Sequence, residues 1–276
     1  MRWFTTAVVL LSIAACTVHV LPLRPALTAT ARGDDRERPR GALVIVGGGR
    51  TPSVVVARAL DLAGGPSARV LVIPFASAYS TGEGSAEMWR QAGARRVAVL
   101  DDGQDRSAAL REVQKADLLW FPGGDQTRLM DTLARLELVE AVRRRFQEGA
   151  TVGGTSAGAA VMSTVMLTGA RDPSRAEAAG LGLWPEVIVD QHYLKRNRRA
   201  RLREAVLRHP NLLGVGIDEC GCVIVRGRDF EVVGSGEVEV LVRDPKEKSE
   251  YSGVSAHRLR PGMASNVQRY SPKESR

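Results

Sequence analysis

With 276 residues, 44% of them hydrophobic and 5% aromatic, the chain has the size and content of one large α/β domain with a full core of Val, Leu, Ala and Ile. Its net charge of +8 is unevenly placed, and its arginines are spread over helix faces with little aromatic interleaving, which argues for a solvated surface and against a nucleic-acid partner. Three cysteines (Cys16, Cys220 and Cys222) do not make a disulfide framework, and four histidines (His19, His192, His209 and His257) are too scattered for a metal cluster.

In chain order, residues 1–31 read as an export signal. Arg2 supplies a short positive region, and residues 7–15 supply an apolar stretch too short for a transmembrane helix. Ile13-Ala14-Ala15-Cys16 has the pattern of a bacterial lipoprotein signal, which would leave Cys16 lipidated at the new N-terminus. Ala29-Thr30-Ala31 is an A-x-A cleavage site that would release a soluble protein, and an uncleaved anchor over residues 3–23 is a third route. All three put the remainder outside the cytoplasm, and the lipoprotein route is preferred. Residues 32–40 are charged, carry Pro39 and read as a linker.

Residues 42–46 are continuously apolar, as a strand buried on both faces should be. Gly47-Gly48-Gly49 follows at once, then a helix over 51–63. Such a turn could cradle a phosphate, but neither G-x-G-x-x-G nor a P-loop lysine is present. Strands are predicted over 69–75, 97–100 and 117–121, with helices over 85–92 and 107–115. The strand at 117–121 ends in Pro122-Gly123-Gly124-Asp125-Gln126, and one helix follows over 129–147 with Leu129, Leu133, Leu136, Val139, Val142 and Phe146 on one face. Strands alternating with helices imply a parallel sheet covered on both sides, whose site lies beyond the carboxyl ends of the strands.

A short strand at 150–152 leads into Gly153-Gly154-Thr155-Ser156-Ala157-Gly158-Ala159-Ala160, and 157–168 reads as a helix. A serine between small residues at a strand-to-helix junction is the setting of a nucleophile elbow, although the spacing is not G-x-S-x-G. It places Oγ at the positive end of a helix, where an oxyanion is favoured. Amides of Gly124 or Asp125 could point at the carbonyl that Ser156 attacks. Residues 169–186 read as loop with short elements. The strand at 187–189 ends in Asp190-Gln191-His192-Tyr193, and the arginines Arg196, Arg198, Arg199, Arg201 and Arg203 follow. The strand at 213–217 ends in Asp218-Glu219. Short β runs at 222–226, 230–233, 238–242 and 254–259 suggest a meander that closes the domain, with a polar, disordered tail over 265–276.

Ser156, His192 and Glu219 thus each follow a short buried strand and can reach one end of the sheet. A serine hydroxyl needs a base to take its proton, and the base needs an acid to fix its tautomer and stabilise its cation. The order Ser–His–acid differs from that of α/β-hydrolases, and Asp218 competes with Glu219 for the third role.

These strings also carry a resemblance. Residues 153–159, then Asp190-Gln191-His192-Tyr193 with Arg196, Arg198 and Arg201-Leu202, then Gly216-Ile217-Asp218-Glu219, resemble cyanophycinase and its relatives in the S51 serine peptidases, which include dipeptidase E. The turns at 47–49 and 122–126 match as well, and the resemblance covers about residues 41–264, read as a single catalytic domain. Tyr193 stands where the family usually has Phe. The resemblance implies an α/β fold like that of class I glutamine amidotransferases: a mostly parallel sheet sandwiched by helices, here with a C-terminal β meander. It implies Ser156 as nucleophile, His192 as base, Glu219 as acid, Gly124 and Ala157 as oxyanion-hole amides, and no metal or organic cofactor.

The polymer cyanophycin is poly-aspartate with arginine joined to each side-chain carboxyl, so its hydrolase must hold carboxylates and guanidinium groups together. Asp125, Asp190, Gln191, Arg196, Arg198 and Arg201 are the right types, because arginine binds carboxylates bidentately and Asp190 could take a guanidinium. The same arginines could instead form internal ion pairs that hold the His192 loop. The expected function is an exported serine exopeptidase that releases β-Asp-Arg dipeptides through an acyl-enzyme. A dipeptidase for Asp or isoaspartyl peptides and a non-catalytic cell-envelope binding protein are the alternatives. The partners implied are a peptide or polypeptide substrate, no nucleic acid, and a membrane only through the N-terminal signal or lipid. The oligomeric state is left open, with homodimers common among relatives.

Overall fold

A computed structural model describes residues 40–170, 175–248 and 252–270; the export-signal residues, Cys16 among them, lie outside these. The chain opens with β1 (Ala42–Val46), α1 (Ser53–Leu62), β2 (Arg69–Val72), α2 (Glu83–Gln91), β3 (Arg96–Val99), α3 (Arg106–Lys115) and β4 (Leu118–Phe121). Two helices follow, α4 (Gln126–Arg135) and α5 (Val139–Glu148), then β5 (Thr151–Thr155), α6 (Ala157–Ala160) and the short pair β6 (Val165–Leu167) and β7 (Glu177–Ala179). The last part holds β8 (Val187–Gln191), α7 (Arg199–Arg208), β9 (Leu213–Ile217), β10 (Gly221–Arg226), β11 (Asp229–Gly234), β12 (Val238–Arg243), β13 (Val254–Leu259) and β14 (Ala264–Asn266).

The main sheet has eight strands in the order β14-β11-β10-β1-β5-β4-β2-β3. Its five strands from β1 to β3 are mutually parallel, and β10, β11 and β14 extend it antiparallel. Every residue of β1 is buried because side chains alternate between two covered faces. Val44 and Val46 pack with Val55, Val56 and Leu60 of α1, Trp89 of α2 and Trp120 of β4. Leu43 and Ile45 join the opposite core with Leu129 and Leu133 of α4 and Phe146 of α5. Each fully buried aliphatic side chain of this kind contributes about 2 kcal/mol, which makes β1 the strand that binds both layers.

The expectation that all three site-bearing strands belong to one sheet is corrected. Strands β8 and β9 lie in a second sheet of four, in the order β13-β12-β9-β8. The edge of β1 that they would need is taken by β10, with Val44 opposite Ile224. The meander therefore divides, β10 and β11 going to the main sheet and β12 and β13 to the second. One face of the second sheet shares the core of the main sheet through Val187, Val189, Val215, Ile217, Val238 and Val240. Its other face is covered by α7 through Leu202, Ala205 and Val206.

Three element readings also change. The helix predicted over 129–147 is two helices, because Glu137 adopts a left-handed φ of 52°. The Leu138 N–H donates to Leu133 O (2.8 Å) and the Glu137 N–H to Ala134 O (2.9 Å), the paired bonds of a Schellman C-cap with glutamate where glycine is usual. The elbow helix lasts only four residues. Beyond it, buried Ser163 Oγ accepts the Val189 N–H of β8 at 2.8 Å, and the chain continues into β6 instead of further helix. The tail expected to be disordered from 265 is ordered as far as Tyr270: β14 pairs with β11, and Tyr270 packs on Phe230. Among the described residues no helix is long and apolar enough to cross a membrane.

Candidate active site

Ser156 ends β5 with φ 55° and ψ −110°, a strained backbone for a non-glycine residue. The turn is tight because everything around it is small. A Cβ on Gly154 would lie 2.7 Å from Phe121 O, and one on Gly158 would overlap the same carbonyl. The Ser156 N–H donates to Val46 O (3.1 Å), which ties the elbow to β1. His192 and Cys220, the residue after Glu219, also have left-handed φ, 48° and 59°. Each functional loop therefore turns sharply just past its strand and aims a side chain at a common point.

There the three groups meet. His192 Nε2 lies 2.9 Å from Ser156 Oγ, and His192 Nδ1 lies 2.6 Å from Glu219 Oε1. A carboxylate only accepts, so Nδ1 carries the hydrogen and Nε2 is left as acceptor for the serine hydroxyl. Asp218 has other partners. Its Oδ1 accepts the N–H groups of Leu194 (3.1 Å) and Lys195 (2.9 Å), and so holds the loop that carries His192.

The glycine turn after β1 explains itself here, as a seat for the imidazole and not as a phosphate cradle. A Cβ on Gly48, whose φ is 123°, would fall 2.5 Å from His192 Nε2 and 2.7 Å from Nδ1. Gly47 O accepts the His192 N–H at 2.6 Å, and Gly48 O accepts the Cys220 N–H at 3.0 Å. One turn thus fixes both the His192 loop and the Glu219 loop, although these belong to the second sheet. Burial pulls the His192 pKa below its ordinary 6.5; the Glu219 hydrogen bond pushes back, and the charges of Arg196 and Arg198 add to the fall.

The Gly123-Gly124 turn lies against the serine, for a Cβ on Gly123 would be 3.3 Å from Ser156 Cβ. Of the two amides proposed there, that of Asp125 is taken by Ala76 O at 2.8 Å. The Gly124 N–H has no partner among the described residues, nor has that of Ala157, which opens α6 and has no carbonyl a turn earlier in the helix. Both remain available to an oxyanion.

The residues expected to bind substrate divide. Asp190 is fully buried, gripped by Arg201 through Nε at 3.0 Å and through Nη2, with Arg198 Nη1 at 3.5 Å. Arg201 also donates to Thr168 O (2.9 Å) and Arg198 to Gln191 O (2.7 Å). The substrate-binding expectation for Asp190, Arg198 and Arg201 is therefore corrected to an internal ion-pair cluster that carries the His192 loop. Burial, the largest influence, pulls the Arg198 pKa down to about 10. Asp125 is exposed, but its Oδ1 caps α4 by accepting from Thr127 (2.7 Å) and Arg128 (3.1 Å). Gln191 is buried with Oε1 unpartnered. Arg196 alone of the named arginines is exposed with no side-chain partner among the described residues, close enough for its charge to act on His192. Sequence reading missed Glu239, a buried carboxylate on β12 that takes Arg199 at 2.8 Å, because it sits in a run that reads as an ordinary alternating strand. Among the described residues no group of three or more His, Cys, Asp or Glu could hold a metal ion.

The stretch of chain that builds this elbow and most of the fold around it is matched by a family model. The model of peptidase family S51 covers residues 43–233. The chain belongs to peptidase family S51. It is a serine-type peptidase, a hydrolase. The cyanophycinase of Geminocystis herdmanii (strain PCC 6308) is 36% identical over 258 residues, which cover 85% of this chain and 94% of that protein. The cyanophycinase of Nostoc sp. (strain PCC 7120 / SAG 25.82 / UTEX 2576) is 40% identical over 201 residues, 67% of this chain and 66% of that one. Among solved structures, a peptidase from an acI-B1 Actinobacterium superposes with a TM-score of 0.62 at 23% identity, over 83% of this chain and 98% of that one, a likeness of fold.

Proposed function

We propose that this S51 peptidase degrades cyanophycin to β-Asp-Arg dipeptides through an acyl-enzyme on Ser156. The observation that carries the reading is the unbroken relay Glu219–His192–Ser156, at 2.6 and 2.9 Å, on an elbow with two unpartnered amides. His192 takes the Oγ proton as Ser156 attacks the scissile carbonyl, and Glu219 stabilises the imidazolium. Gly124 and Ala157 donate to the oxyanion of the tetrahedral intermediate. The intermediate collapses, His192 passes the proton to the leaving amine, and the acyl group stays on Oγ. Water, deprotonated by the same imidazole, then releases the dipeptide and restores the serine.

The substrate reading is supported by the identity to cyanophycinases over most of the chain and by Arg196, an exposed, unpartnered guanidinium of the chemistry that takes a carboxylate. The test is to incubate the full chain with purified cyanophycin and with α-Asp and isoaspartyl dipeptides. Release of β-Asp-Arg, abolished by Ser156→Ala, is expected; turnover confined to the dipeptides would overturn the substrate. We also propose that the protein is exported and lipidated at Cys16, on the strength of the residues 13–16 pattern. It would then fractionate with membranes and be released by Cys16→Ser. A mature N-terminus at Arg32 would contradict this.

A further inference from the structure

Behind His192 a row of residues crosses the second sheet. Asp190 on β8 lies opposite Gly216 on β9, Gly216 opposite Glu239 on β12, and Glu239 opposite Arg258 on β13. Partners in register share a face of the sheet. The Tyr193 ring lies over the glycine in the middle of the row, where a Cβ would come within 2.5 Å of ring carbons Cγ and Cδ1. A buried carboxylate therefore flanks the ring on each side. Asp190 holds Arg198 and Arg201. Glu239, 2% exposed, holds Arg199 Nη2 at 2.8 Å, Arg199 Nε at 3.3 Å and Arg258 Nη2 at 3.4 Å, and it interacts electrostatically with the buried Tyr193 hydroxyl.

Burying two carboxylates is a poor way to stabilise a sheet, because each loses several kcal/mol of hydration and apolar residues would pack as well. What such a cluster does supply is one fixed geometry. The segment it fixes is the one that needs it. Residues 190–199 run from β8 through the left-handed His192 into α7, and both ends of that turn, Asp190 and Arg199, belong to the cluster. Glu239 is too buried to meet substrate, so any effect on the reaction must pass through the turn.

We propose that Glu239 and Tyr193 are positioning residues for the reaction. Together they pin the turn that carries His192 onto β9 and β12, and so hold the imidazole between Ser156 and Glu219. This inference rests on the relay described under the proposed function. The charged groups that face the imidazole itself are Glu219, Arg196 and Arg198, and Gly48 backs the ring. Loosening the turn admits water, and since burial is the largest influence on His192, its pKa should then move up.

The test compares Glu239→Ala, Tyr193→Phe and Ser156→Ala in the full chain acting on cyanophycin. Arg199 and Arg258 are 37% and 51% exposed, so both can turn to water when the carboxylate is removed, and Tyr193→Phe keeps the ring on Gly216 in any case. In Glu239→Ala, kcat should fall roughly 10- to 100-fold with KM within about twofold, as a small displacement of a reacting group does. Tyr193→Phe, which removes only the hydroxyl that acts on Glu239, should lose about fivefold, roughly the worth of one buried polar interaction. The His192 pKa, read by NMR titration, should rise towards 6.5 in Glu239→Ala. Wild-type kcat in both variants, with only the melting temperature lowered, would overturn the proposal, as would a rise in KM that accounts for the lost kcat/KM. Wild-type activity in Ser156→Ala would instead refute the relay on which the inference rests.

Discussion

Gly48→Ala is the sharpest single perturbation of the site, because it changes no functional group. The added methyl would lie 2.5 Å from His192 Nε2 and 2.7 Å from Nδ1. Ordinary contact between such atoms needs about 3.5 Å, so the ring must retreat by about 1 Å. A shift of that size stretches the 2.9 Å bond from Nε2 to Ser156 Oγ beyond hydrogen-bond range and opens the 2.6 Å bond to Glu219. Misplacement of a reacting group by 1 Å lowers the rate by about 10²-fold. The φ of 123° at Gly48 adds backbone strain of roughly 1–3 kcal/mol, which lowers the melting temperature by several degrees without unfolding the chain at 25 °C. The assay is kcat and KM on cyanophycin beside a thermal melt. A folded variant with kcat within about threefold of wild type would refute the argument that this turn exists to seat the imidazole.

Glu219→Gln should lose roughly 10³-fold or more in kcat, since the amide no longer fixes the His192 tautomer; Asp218→Asn, whose oxygen can still accept from Leu194 and Lys195, should stay within about tenfold. Comparable losses in steady-state kinetics would reassign the acid. His192 serves as base only when neutral, so activity is present above its lowered pKa and lost as pH falls through it; the acid limb of kcat/KM should have its midpoint below 6.5, and a midpoint above 6.5 would contradict the burial of the ring. By the same sign, the unfolded chain takes this proton more readily than the folded one, so His192 withdraws stability as pH drops below 6.5, which denaturant midpoints across pH would register. Asp190→Ala leaves Arg198 and Arg201 without their shared acceptor and should cost about 3 kcal/mol, a fall of roughly 5–10 °C in thermal melts. Arg196→Ala should leave the melt unchanged and raise KM roughly tenfold; the opposite pattern would exchange their roles.

Much of the site is visible in the sequence because its loops obey local rules. Strand ends followed by Gly-Gly-Gly, Pro-Gly-Gly and Gly-Gly-Thr-Ser-Ala-Gly mark places where backbone turns sharply or approaches another chain closely, and such places occur at the carboxyl ends of a parallel sheet. What the linear pattern does not carry is partnership. The apolar runs that become β8 and β9 read like those that become β1 or β4, and only the three-dimensional claim of β10 on the edge of β1 sends them to a second sheet. Arg196, Arg198 and Arg201 are chemically alike in sequence. Whether each meets a buried Asp190 or solvent depends on how the turn from β8 and the start of α7 fold over that sheet. Glu137 hides a helix end because a left-handed cap is ordinarily glycine. The purpose of Gly48 emerges only once the imidazole that would strike its side chain is in place.

The central claim is that Ser156 is the atom acylated during turnover. The direct measurement is to mix the full chain with cyanophycin, quench in acid within the first turnovers, and locate any covalent adduct by peptide mass spectrometry. A β-Asp-Arg-derived acyl group on the peptide that contains Ser156, absent from His192→Ala, is the expected result. Active turnover with that peptide unmodified at every quench time, or an adduct on another residue, would contradict the account.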